Sequence, residues 1–191
     1  MERKDYKPEG LERNFKLEIV GELLRGPNHA RAIAKKLGTN HVLVTRRLRE
    51  LQNDNAADYR EEGKNKAYFL KKSLEAKSLV LMYESHSLSR MLKKYPALRA
   101  ITEKIQKDAK IRLAVLFGSY AKGLAKPDSD IDVFIETVDR EVKQRIADTS
   151  TKLSVKIGSF DLSSPLVKEI VKNHVILKGV EVFYEKTGFF G

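Results

Sequence analysis

The chain has 191 residues, a formal net charge of +11, no cysteine and no tryptophan. Without cysteine, disulfide scaffolds, thiolate metal sites and a cysteine nucleophile are excluded, and a hydrophobic content of 41% excludes wholesale disorder. The positive charge, shared between the two halves, points to a polyanionic partner such as nucleic acid or a nucleotide, with an ion-pair-rich solubilising surface as the plainer reading.

The longest apolar runs, Leu79–Tyr83 and Leu113–Phe117, are far too short to span a membrane. The charged start, Met1 to Lys7, has no apolar stretch of the kind a secretory signal needs. The expectation is a soluble cytoplasmic protein.

Residues 1–12 carry charge, Pro8 and Gly10 and are expected to form a flexible tail. Residues 13–72 are expected to form the first domain. From Asn14 apolar residues recur with helical spacing (Phe15, Ile19, Leu23; Val20, Leu24) until Gly26-Pro27 stops the run. A second helix is predicted over Ala30–Leu37, with Gly38 at the position that favours positive φ. Asn40 is a predicted N-cap for a third helix over His41–Asn53, whose inward residues are Val44, Leu48 and Leu51. Ala57–Arg60 and Lys66–Lys71 read as hairpin strands around a turn from Glu61 to Asn65.

Three short helices and a basic hairpin resemble a winged helix-turn-helix domain, with the segment Gly38–Leu51 similar to its turn and recognition helix. With Val44, Leu48 and Leu51 inward, the 100° helical step places Val42, Arg46 and Arg49 on the opposite face. The candidate contacts to double-stranded DNA are Asn40, His41, Thr45, Arg46 and Arg49, with Lys64 and Lys66 of the hairpin meeting flanking phosphates. Val42 and Leu43 depart from the small polar residues common at reading positions and leave room for thymine methyl contacts or a protein partner. Use of the domain for protein contact is the second reading.

Residues 73–96 are predicted to be a linker helix ended by Pro96. Leu74, Leu81, Leu88 and Tyr95 recur every seven residues, which suits packing between two domains or a homodimer seam. Residues 97–191 are expected to form the second domain. Its predicted elements are a helix at Leu98–Lys107, a strand at Arg112–Phe117, a short helix from Gly118, a strand at Asp130–Glu136 and a helix at Asp139–Lys152. A strand at Ser154–Phe160, a helix at Pro165–Lys178 and a short strand at Glu181–Tyr184 complete it. Alternating helices and strands give an α/β (α+β) class with a small mixed sheet and flanking helices.

The informative run extends from Leu116 to Ile135, Leu-Phe-Gly-Ser-Tyr-Ala-Lys-Gly-Leu-Ala-Lys-Pro-Asp-Ser-Asp-Ile-Asp-Val-Phe-Ile. Asp130 and Asp132 lie two apart on a strand, so both carboxylates face one side. Such neighbouring charges call for a cation, and paired oxygen ligands suit Mg²⁺ when phosphates supply the rest. Upstream, Gly118 permits close backbone approach to a phosphate and Ser119 offers a hydroxyl and an N–H. An anion cradle followed by a metal-binding pair is the layout of a phosphoryl- or nucleotidyl-transfer site.

This run resembles the nucleotidyltransferase superfamily of the DNA polymerase β type, whose signature is Gly-Ser, about ten residues, then Asp-x-Asp between apolar residues. It looks closest to the minimal, MNT-like members of archaea and bacteria, some of which are antitoxins that add AMP to a partner toxin. The resemblance spans roughly Leu98–Glu185. It implies that Gly118 and Ser119 hold the β- and γ-phosphates of a nucleoside triphosphate, ATP first among them, and that Asp130 and Asp132 are catalytic ligands of Mg²⁺. Lys122 and Lys126 are candidates to steady the triphosphate, with surface solubility as their plainer use. Active members carry a third carboxylate on a neighbouring strand. In the simplest alignment Lys156 takes that place here, leaving Asp161 as the candidate third catalytic carboxylate or, alternatively, as a partner of the Ser163-Ser164-Pro165 helix start. His174 reads as a packed histidine. Three functions stay open: a nucleotidyltransferase with a DNA-binding domain, a non-catalytic transcriptional regulator that senses a nucleotide, and an antitoxin acting on a partner toxin.

Overall fold

A computed structural model describes residues 13–190; the expected tail at 1–12 lies outside the described residues. In chain order α1 is Phe15–Leu24, β1 Asn28–His29, α2 Ala30–Leu37, α3 His41–Asn53, β2 Ala57–Glu62, β3 Asn65–Leu70 and α4 Leu74–Lys94. Then come α5 Leu98–Lys107, β4 Ala114–Phe117, α6 Gly118–Ala121, β5 Ile131–Glu136, α7 Arg140–Ala147, β6 Leu153–Gly158, α8 Pro165–Lys172, β7 Val175–Lys178 and α9 Val180–Lys186.

The N-terminal helices follow their local signals. Asn14 and Asn40 accept hydrogen bonds from Leu17 N and Leu43 N, capping α1 and α3, and Gly38 ends α2 at φ +59°. The hairpin is tighter than the sequence suggested. Its strands run on to Glu62 and from Asn65, and the turn is Gly63-Lys64. The two-residue β1, unforeseen from sequence, adds a third strand in the order β1-β3-β2.

The helix α4 buries Ala76, Val80 and Glu84, not the sevenfold stripe; Leu74 at its start is 80% exposed. Its N-terminal half packs on α1. The ring of Tyr83 lies over Gly21, where a Cβ would come within 2.3 Å of it. Farther along, Leu88, Met91, Leu92 and Tyr95 cover the second core described below.

The C-terminal sheet has the order β6-β5-β4-β7, with β5 and β6 parallel and the other pairs antiparallel. Side chains alternate between its faces. Ala114, Leu116, Ile131, Val133 and Ile135 join α5 and α7 in one core. Val115, Phe117, Phe134 and Ile176 face α8 and α9 in a cluster continuous with the core of α1, α3 and α4. Burying one Leu, Ile or Phe side chain contributes about 1.5–3 kcal/mol relative to exposure. A cluster spanning both halves therefore couples them.

Three elements differ from the sequence expectations. The helix expected at 139–152 ends at Ala147, with Asp139 as its cap. The helix expected at 165–178 ends at Lys172, and Val175–Lys178 is instead the edge strand β7 on β4. The strand expected at 181–184 is the helix α9, because Phe183 and Tyr184 are both buried and adjacent residues of a strand point to opposite faces. Ser164 occupies the N-cap of α8, yet its hydroxyl makes no capping bond. Among the described residues no helix is long and apolar enough to cross a membrane.

Candidate active site

The register of β4 against β5 pairs Phe117 with Asp132. The chain turns at the next residue, so Gly118 is set against the Asp132 carboxylate. Gly118 has φ +68°, and a Cβ there would lie 2.5 Å from Asp132 Oδ2. Only glycine meets both demands without strain. The short α6 that follows is closed by Lys122 N donating to Gly118 O (3.2 Å) and Leu124 N donating to Ser119 O (2.9 Å). It is anchored to α4 and its end by the edge-on stack of Tyr120 on Tyr95, 4.8 Å between centroids, and by Lys94 Nζ donating to Gly123 O at 2.8 Å.

Asp132 is half-buried in β5, and Asp130 is exposed one residue before the strand. Burial, and after it the Asp130 charge, push the Asp132 carboxyl above the ordinary carboxylate range, against the opposing pull of the Ser154 hydroxyl and Lys156. Across the parallel pairing, Ser154 stands beside Asp132, and the strand period puts Lys156 on the same face. Neither is acidic. Asp161 is not brought to the pair. Its carboxylate is exposed and accepts hydrogen bonds from Ser163 N (2.9 Å) and Ser163 Oγ (2.6 Å), which hold it below the usual range.

Lys122 reaches across to α8, its Nζ 3.0 Å from Glu169 Oε1. Glu169 also adds to the negative potential at Asp132. The sequence reading missed it because the third carboxylate was sought on a strand, whereas Glu169 comes from a helix that folds over the same sheet face. Lys126 is exposed on the loop that precedes β5, its N–H bound to Ser129 Oγ at 2.9 Å, and Lys152 Nζ ties that loop to β6 through Pro127 O at 2.6 Å.

Residues 99–187 match the family model described as Polymerase beta, Nucleotidyltransferase. These residues are similar to a nucleotidyltransferase domain. No curated protein matches the chain. Domains of this family generally use a nucleoside triphosphate and a divalent metal. Among the described residues no group of three or more His, Cys, Asp or Glu side chains is placed to hold a metal ion. This region offers instead a pair, Asp130 and Asp132, in which burial, and after it the Asp130 charge, raise the Asp132 carboxyl. Two carboxylates completed by phosphate oxygens form a donor set that suits Mg²⁺.

In the N-terminal unit the predicted recognition face is open. Val42 is 69% exposed, and His41, Arg46 and Arg49 are exposed beside it. Asn40 spends its side-chain oxygen on the cap, and Thr45 Oγ1 donates to His41 O at 2.8 Å. Lys64 stands in the hairpin turn, whereas Lys66 folds back with Nζ 3.8 Å from the Tyr59 ring centroid.

Proposed function

We propose that the nucleotidyltransferase domain binds a Mg²⁺–nucleoside triphosphate, ATP in the first instance, and transfers its nucleoside monophosphate to an acceptor hydroxyl. The N-terminal unit, in this reading, is a winged helix that binds double-stranded DNA. The apposition of Gly118 and Asp132 carries the first part: it sets a close-approach backbone turn against a carboxylate pair at one sheet end. Gly118 and Ser119 receive the β- and γ-phosphates, and Lys122 exchanges Glu169 for a phosphate oxygen. Mg²⁺ held by Asp130 and Asp132 supplies neutralisation of phosphate charge. The acceptor oxygen attacks the α-phosphorus, the bond from that phosphorus to the bridging oxygen breaks, pyrophosphate leaves, and the hydroxyl proton passes to water. A partner protein, such as the toxin that the resemblance suggests, is the proposed acceptor.

One observation favours a second reading. Ser154 and Lys156 occupy the β6 face where a third carboxylate would stand. A lysine cation there suits a regulator or antitoxin that binds a nucleotide without turning it over.

The experiment is a calorimetric titration of the full chain with ATP and Mg²⁺, run beside Asp130→Ala/Asp132→Ala, together with transfer of label from α-labelled ATP to cell protein. Metal-dependent binding lost in the double variant, with label transfer, supports the transferase. Binding without transfer supports the regulator. No binding of ATP, nor of GTP, CTP or UTP titrated in the same way, removes both.

A further inference from the structure

A cavity of about 480 Å³ lies between α1 and α4 on one side and α8 and α9 on the other, away from the Gly118–Asp132 site. Glu84 lines it, and this residue is only 2% exposed. A carboxylate taken out of water normally acquires a lysine or arginine partner, because desolvation is costly otherwise. Glu84 has none among the described residues. Tyr184 Oη donates to its Oε1 at 2.5 Å, and His174 Nε2 stands 3.6 Å from the same oxygen. Burial and the Glu84 charge push the Tyr184 phenol far above its ordinary value, so it stays protonated as a donor. Both contacts fall on the one carboxylate oxygen, Oε1.

The remaining wall is aromatic and, at its exposed border, cationic. Tyr83, Phe183 and Phe189 line it together with Tyr184, and Arg25 and Lys172 are exposed beside them. A simple organic cation would suit Glu84 and the rings but is repelled by Lys172, with Arg25, paired to Glu22, adding less. An aliphatic chain would leave Glu84 unmet. A purine nucleotide satisfies all three features at once: base N–H groups toward the carboxylate, the base against the rings, and phosphate at the cations. The volume falls in the ordinary range of small-ligand sites.

We propose that this cavity is a second, metal-independent site that takes a purine nucleoside monophosphate. It stands on residues that the transfer site does not use. Because its walls come from both halves of the chain, an occupant binds α1 and α4 to α8 and α9.

The test is calorimetric titration of the full chain with GMP and with AMP in excess EDTA. Saturable binding of at least one is expected. Glu84→Gln, which keeps the size and the Tyr184 hydrogen bond, should weaken it tenfold or more, while Asp130→Ala/Asp132→Ala leaves it unchanged. Lys172→Glu, on the exposed border, should also weaken it and serves if Glu84→Gln does not fold. Absence of saturable binding by the wild-type chain, or wild-type affinity in both Glu84→Gln and Lys172→Glu, overturns the site. Benzylammonium that saturates the cavity where GMP and AMP do not would assign it to organic cations and overturn the nucleotide. Loss of binding in the Asp130→Ala/Asp132→Ala variant would place the ligand in the transfer site and overturn the second one.

Discussion

The carboxylate of Asp132 fills the space a side chain at Gly118 would need: a Cβ at 118 would stand 2.5 Å from Asp132 Oδ2. The backbone turn assigned to phosphates and the carboxylate assigned to metal are thereby one rigid unit, set by the pairing of Phe117 with Asp132.

Gly118→Ala tests that unit. The alanine must take a left-handed φ of +68° and displace Asp132. A non-glycine residue in that region costs about 1–2 kcal/mol before any clash. We expect a loss of stability of roughly 1–3 kcal/mol in urea denaturation. Affinity for Mg²⁺–ATP should fall at least tenfold by calorimetry. Wild-type affinity in the alanine variant would separate Gly118 from the triphosphate.

Asp132→Asn reads the electrostatics. Burial and Asp130 raise the carboxyl of Asp132 in the folded chain. Between the unfolded and the folded titration points the native state binds more proton than the unfolded state, so this group's contribution to stability declines as pH rises and is a cost at neutral pH. The asparagine removes that cost. The variant should melt higher than wild type at pH 7, the difference should vanish as the solution is acidified through the ordinary carboxylate range, and metal-dependent nucleotide binding should be lost. A lower melting temperature at pH 7 would contradict the assigned charge balance.

Glu169→Gln frees Lys122. The ion pair between them is partly exposed, at 37% and 50%, so its own worth is small, about 0–1 kcal/mol. Removing the carboxylate also relieves the repulsion it exerts on an incoming triphosphate near Asp132. ATP affinity should rise about two- to fivefold, on the scale of that pair energy. Lys122→Ala should lower it. If Glu169→Gln weakens binding, the residue is a ligand of the site rather than a competitor for Lys122.

The elements that announced themselves in the sequence are those whose signals are local. Asn14, Gly38 and Asn40 mark helix ends by their own chemistry, and the alternation of Ile131, Val133 and Ile135 marks β5 by the strand period of two. The misread elements depend on distant partners. Val175, Ile176 and Leu177 are a strand because β4 offers them an edge, and a short apolar run carries no periodicity of its own. The turn before α9 needs Gly179 because its Cβ would strike the carbonyl of Arg112 at 2.1 Å, a contact across the fold. Glu84 was hidden for a similar reason. The buried stripe of α4 runs Ala76, Val80, Glu84, and a pattern sought among leucines passes over an alanine and a carboxylate. Glu169 joins the site only through the folding of α8 over the sheet.

The DNA-binding proposal rests on the open face of α3. Arg46 is 66% exposed and held only by a loose 3.9 Å approach to Glu50, so its guanidinium is available. Arg49 is exposed on the same helix. Arg46→Ala with Arg49→Ala should abolish retention on duplex DNA at moderate salt and lower the slope of log affinity against log salt by about two, one for each phosphate that an arginine no longer neutralises. The hairpin offers an internal comparison. Lys64 lies in the turn, whereas Lys66 is drawn onto the Tyr59 ring, which favours its charged form without offering it to a phosphate. Lys64→Ala should therefore weaken binding more than Lys66→Ala. Retention and salt slope unchanged in the double arginine variant, measured by fluorescence anisotropy on genomic fragments, would redirect this face to a protein partner, with the exposed Val42 at its centre.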